Sequence, residues 1–222
     1  MKALSLAISS ALVLTACSNA EPQEARWTDY AAAVAGLVRA ELARPPNECR
    51  RDDIDPVWSA AAERMNEKDR RARSGVSAEE WRRLDAENAA ELASLLDTRG
   101  WPDPCALTRA GALGVFYVVQ HHRDAALRQE ALPYLEAMAE AGRLRRSDLA
   151  LLVDRVLTDQ DRPQRFGTQY HCDRTTGRYV RMETEDPSQL DARRRSMTLM
   201  AADIELRLVN APDDGRCAES DA

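Results

Sequence analysis

The chain has 222 residues, enough for one medium domain with a substantial buried core. Hydrophobic residues at 44% and charged residues at 31% exclude both a disordered chain and an integral membrane protein by composition, while aromatics at 5% and only 9 glycines point to packed helices rather than a β-sandwich. The 31 basic and 37 acidic residues are intermixed and leave a net charge of −6, so no basic patch offers itself to nucleic acid, which is not expected as a partner.

Lys2 precedes an apolar run from Ala3 to Ala16 that ends in Leu14-Thr15-Ala16-Cys17. At about 14 residues the run is short of the roughly 20 a spanning helix needs, and a small-residue cleavage site before a cysteine is the pattern of a lipoprotein signal. The reading is therefore a signal peptide over 1–16, with Cys17 lipidated and 17–26 a short polar tether. Lipid on Cys17 would hold the protein to a membrane, facing the periplasm. Ser18 stands where aspartate would signal retention at the inner membrane, which by resemblance favours the outer one.

A helical domain is expected over 27–209, followed by a polar tail over 210–222. Trp27 to Ala43 places Tyr30, Val34, Leu37, Val38 and Leu42 at three- and four-residue steps and stops at Pro45-Pro46. Asp55-Pro56 opens the next helix, to about Arg73, with aspartate as cap and proline in the first turn. Ser77 and Glu80 form a capping-box pair before a long helix that ends at Gly100. Thr108 to His122 is different in kind: Ala110 to Val119 is uncharged throughout, which predicts a helix buried on every side, with Gly111 and Gly114 admitting another backbone.

Ala125 to Ala141 returns to the amphipathic pattern, with Pro133 expected to kink it or start a new helix. Ser147 is read as the cap of a second buried helix, Asp148 to Thr158, interrupted by Asp154-Arg155. The period then changes. Phe166 to Cys172 and Arg178 to Met182 read as a β-hairpin around a Gly177 turn, and Ser188-x-x-Asp191 opens a last helix or helix pair to about Leu208. The fold class is mainly α: a compact multi-helix single domain with one small β-hairpin.

With Cys17 set aside, Cys49, Cys105, Cys172 and Cys217 remain, an even number suited to disulfides in an oxidising compartment. Four cysteines allow three pairings; position favours Cys172 with Cys217 and Cys49 with Cys105, and free thiols are the alternative. No C-x-x-C and no histidine at ligand spacing supports a metal, and no cofactor is expected.

Polar residues stand where packing should dominate: Gln120, His121 and His122 at the end of one buried helix, Asp154 and Arg155 within the other, and Gln164, Thr168 and Gln169 around the hairpin. Buried polar groups must be met by partners. In order along the chain, Asp69-Arg70, Asn88, Gly100-Trp101-Pro102, Gln120-His121, Asp154-Arg155, Gln164, Phe166-Gly167-Thr168-Gln169, Glu185-Asp186-Pro187 and Asp191-x-Arg193-Arg194 resemble the bacterial domain of unknown function numbered 6624, over about residues 60–200. The resemblance implies a domain and no chemistry. Phe166 stands where that family more often has tyrosine, and His122 and the cysteines are additions.

The sharpest functional reading of these residues is a cleft in which His121 acts as general base, oriented by Asp154 or Asp69, with Arg155 binding an anion and Gln120, Asn88, Gln164, Thr168 and Gln169 contacting a ligand. The same residues also suit a structural network in which Asp154 or Asp69 pairs with Arg155 or Arg70. Three functions stay open: a binding or interaction domain held at the envelope, with a small ligand or envelope protein as partner; a hydrolase-like enzyme using His121 with an aspartate; and a structural envelope lipoprotein.

Overall fold

A computed structural model describes residues 49–211 and residue 217. The signal run, Cys17, the tether, the helix expected over Trp27 to Ala43 and most of the polar tail lie outside the described residues. Within them, seven α-helices and one two-stranded antiparallel sheet make a compact, mainly α fold.

Helix α1 (Pro56–Ala72) starts where its cap dictates: the Asp55 carboxylate accepts from the amides of Val57 and Trp58. Ser77 caps α2 (Ala78–Arg99), and Gly100, at φ +67°, closes it in a conformation glycine adopts without penalty. Thr108 caps α3 (Arg109–His121), the hub of the molecule, which packs against α1, α2, α4 (Ala125–Glu140) and α5 (Arg146–Asp159).

The closest of these contacts is with α1. A Cβ on Gly114 would lie 1.9 Å from the Ala62 carbonyl oxygen, and one on Gly111 would lie 3.3 Å from the Ala62 Cβ. Gly114 thus serves the backbone approach expected of the pair, while Gly111 has a side-chain methyl as its nearest neighbour. Trp58, Met65, Leu92, Leu107, Val115, Phe116, Leu135, Met138 and Leu152 fill the core among these helices.

Three sequence expectations need correction. Of the two outcomes expected at Pro133, the new helix start is not found: α4 runs on through it, with Pro133 on the exposed side while Ala131, Leu135 and Met138 hold the other side in the core. The Gln129 carbonyl that loses its helical donor is on an exposed residue, open to solvent and not sealed in the core. Ser147 is not the cap of α5: the helix begins at Arg146, and the preceding Arg145 makes a two-pronged pair with Asp148, at 2.7 and 2.9 Å.

The hairpin is also shorter than its sequence suggested, with β1 (Tyr170–Asp173) paired to β2 (Arg178–Arg181) so that Tyr170 faces Arg181 and Asp173 faces Arg178. Phe166 to Gln169 bend around Asp154 instead of joining the ladder. A 3₁₀ turn at Pro187–Gln189, capped by Asp186, leads into α6 (Leu190–Ser196) and then α7 (Ala202–Val209), the expected helix pair. Disulfides join Cys49 to Cys105 and Cys172 to Cys217, with Cα separations of 5.1 and 5.7 Å. No helix among the described residues is long and apolar enough to cross a membrane.

Candidate functional site

The polar residues do not converge on one place; they form two groups. The first lies around Asp154, which is fully buried near the end of α5. One carboxylate oxygen accepts from the amides of Arg165 and Phe166, at 2.8 and 2.9 Å; the other accepts from the Thr168 amide and hydroxyl, both at 2.9 Å. Burial pushes the Asp154 carboxyl above its usual range, against the pull of those four donors.

Gln164, also fully buried, closes the loop. Its amide nitrogen donates to the carbonyls of Gln169 and Met182, and its oxygen accepts from the Gln169 amide. Gln169 in turn donates to the Leu151 carbonyl and the Thr168 hydroxyl. Arg194 completes the group from α6. Its guanidinium is fully buried, donates to the carbonyls of Phe166 and Met200 at 2.7 Å each, and pairs with Glu205 at 2.9 Å. Both oxygens of Asp154 and the whole side-chain amide of Gln164 are spent on the chain itself, so Asp154, Gln164, Thr168 and Gln169 fasten the loop and hairpin to α5 and α6.

The second group sits where α3 meets α1 and α2. His121 Nδ1 lies 2.8 Å from an Asp69 carboxylate oxygen, the carboxylate being only 6% exposed and the imidazole 33%. Asp69 also pairs with Arg73 at 3.2 Å, one turn along α1, and Arg73 reaches on to Asp85 of α2 at 3.3 Å. The Tyr117 ring lies nearly parallel to the imidazole, 3° between planes and 5.9 Å between centroids. A small cleft bounded by Asp69, Asp85, Asn88, Tyr117 and His121 has room of about 20 Å³, sufficient for a water molecule. Two buried acceptors, the side-chain oxygens of Asn88 and Gln120, have no hydrogen-bond partner among the described residues, while the Asn88 amide donates to the Met65 carbonyl.

Asp69, then, is the carboxylate that orients His121, and Asp154 makes no contact with it among the described residues. The reason is geometric: Asp154 is turned toward its own following loop. The anticipated pairings with arginine also fail. Asp69 takes Arg73, four residues on and on its own face, rather than the exposed Arg70 next to it. Arg155 faces neither group; its Nε is buried without a partner, and burial together with the nearby Arg128 pushes its guanidinium below the ordinary arginine range.

A carboxylate on Nδ1 fixes the neutral imidazole with its proton on that nitrogen and leaves Nε2 as the base. Nε2 makes no hydrogen bond among the described residues. Tyr117, Arg73 and Asp85 were missed in the sequence, although one signal was available. Arg109, Leu113, Tyr117 and His121 recur every four residues, and apart from Ala110 they are the only residues of α3 that are not buried. Among the described residues no three His, Cys, Asp or Glu side chains are grouped to hold a metal ion.

Residues 74–214 match the family of unknown function DUF6624. The chain belongs to that family. The match begins in the turn after α1 and ends beyond α7, so it is shifted from the 60–200 anticipated and takes in His121 and Asp154 but not Asp69. No curated protein and no solved structure matches the chain.

Proposed function

We propose that this DUF6624 protein is a lipid-anchored component of the cell envelope, held through Cys17 and facing the periplasm at the outer membrane, that binds a small polar ligand at the His121–Asp69 cleft. The observation that carries this reading is the oriented, partly exposed imidazole. Asp69 engages Nδ1 from a buried position, Tyr117 covers one ring face, and Nε2 is left for a ligand donor. The unpartnered Asn88 oxygen, on a residue that lines the cleft, adds an acceptor whose burial costs free energy unless a water or ligand meets it. On this reading Asp154, Gln164, Thr168 and Gln169 build the frame rather than contact the ligand, and Arg155 stands apart.

The test is native mass spectrometry of the protein equilibrated with the small-molecule fraction of envelope extract. Wild type should retain an adduct that His121→Ala loses, with the unfolding free energy changed by less than about 1 kcal/mol because the ring is a third exposed. An adduct retained equally by the variant, or none on wild type, overturns the proposal. Mass analysis of the mature N-terminus tests the anchor separately, by acyl mass on Cys17.

A hydrolase-like second reading has one observation in its favour: the room beside His121 suits a single water that Nε2 would activate. It requires a pH-dependent turnover lost in both His121→Ala and Asp69→Asn.

A further inference from the structure

A cavity larger than the His121 cleft lies elsewhere on α3, at its N-terminal end. It has about 200 Å³ of room and is lined by Arg109, Leu113, Gly142, Arg143, Leu144 and Arg145. Three of these six carry guanidinium groups, and none carries a carboxylate. Arg109 is the first residue of α3 and Arg145 precedes the first residue of α5, so two helix N-termini, each worth about half a positive charge, open near the same space.

Arginine is the wrong residue for those positions if nothing answers it. The start of a helix favours Asp, Ser or Thr and disfavours cations, yet α5 carries Arg145 and Arg146 there with no side-chain cap. Asp148 offsets one of the charges by its two-pronged pair with Arg145. Among the described residues no carboxylate pairs with the others. Arg143 has a buried Nε without a hydrogen-bond partner and gives one bond, at 3.4 Å, to the Cys105 carbonyl. Among the described residues no ion pair holds Arg109 or Arg143.

We infer that this cavity is a binding site for a phosphate group, gripped by Arg109 and Arg143 with Arg145 held in place by Asp148. The guanidinium fork matches two phosphate oxygens at once, and Leu113 supplies an apolar wall for whatever carries the group. The volume is below the roughly 300 Å³ at which drug-sized pockets begin, which suits a small phosphate monoester or the headgroup of a phospholipid. The site shares no lining residue with the His121 cleft and does not depend on the reading given to it.

Titration calorimetry of the full chain with inorganic phosphate, and with glycerophosphoglycerol as the phosphodiester of a phospholipid headgroup, tests the site in chloride-matched buffer. Saturable one-to-one binding of either probe is expected, weakened about tenfold or more in Arg109→Gln and in Arg143→Gln and less in Arg109→Lys. Tighter binding of the diester would identify the headgroup as the source; equal or tighter binding of inorganic phosphate would identify a free phosphate or a monoester. Arg109 is exposed, so Arg109→Gln should keep the wild-type melting temperature and remains decisive if Arg143→Gln fails to fold. No saturable binding of either probe to wild type, or affinity unchanged in Arg109→Gln, overturns the assignment.

Discussion

Asp154 shows how much depends on a single acceptor. Its two oxygens receive four hydrogen bonds from one loop, and an amide cannot replace it, because the nitrogen of asparagine would face donors in place of an acceptor. Asp154→Asn should therefore lower stability by about 2–3 kcal/mol, seen as a lower urea midpoint; an unshifted midpoint would refute the role given to it. Asp55 makes a milder case. The Trp58 amide, with Arg99 and the Val57 amide, holds its carboxyl below the usual range despite some burial. A depressed carboxyl stabilises above its unfolded value and loses that contribution as pH falls through the folded one. Asp55→Ala should accordingly cost about 1 kcal/mol near pH 7, with the gap to wild type closing below about pH 4, as followed by thermal unfolding across that range.

At the level of the element, α3 combines two demands. Its glycine side must admit α1, and its other stripe must carry Arg109, Leu113, Tyr117 and His121 into partly open space. Gly114→Ala tests the first demand. The added methyl gains about 1 kcal/mol of helix propensity but meets the Ala62 carbonyl at 1.9 Å, so the helices must separate and a net loss of about 2 kcal/mol is expected in chemical denaturation. Gly111→Ala comes nearest to a side-chain methyl, at 3.3 Å, with the Ser59 carbonyl and the Thr108 hydroxyl at an ordinary 3.5 Å, and should be far closer to neutral. Equal losses at the two positions would mean that close backbone approach is not what holds α1 to α3.

For the molecule as a whole, the two disulfides brace different segments of the chain. Cys49–Cys105 ties the segment before α1 to the segment before α3, and Cys172–Cys217 ties β1 to the C-terminal segment. Their sequence separations of 56 and 45 residues correspond to about 4 kcal/mol of closure entropy each, before any strain. The paired change Cys172→Ala and Cys217→Ala should lower the melting temperature by several degrees or more while leaving the helical circular dichroism intact. A melting temperature equal to wild type would show that this bond contributes nothing to stability.

Local rules were enough for the helical class, most helix starts and the reason for paired glycines, because caps, periodicity and the absence of a side chain act within a few residues. Position along the chain also favoured the disulfide partners now seen. The residues of the candidate site were legible as unusual, but not their partners. Asp154 and Asp69 are both carboxylates near buried helices, and only the packing of α1 against α3 brings Asp69 to His121 while the loop after α5 closes on Asp154. The arginine cavity escaped the sequence for the same reason: Arg109 and Arg143 lie far apart along the chain, and the distance between their guanidinium groups is set by how α3 meets the turn between α4 and α5. Sequence alone determined which groups would have to be satisfied, since burial follows from local pattern; the tertiary structure decided what satisfies them, since charge and hydrogen bonding act through space.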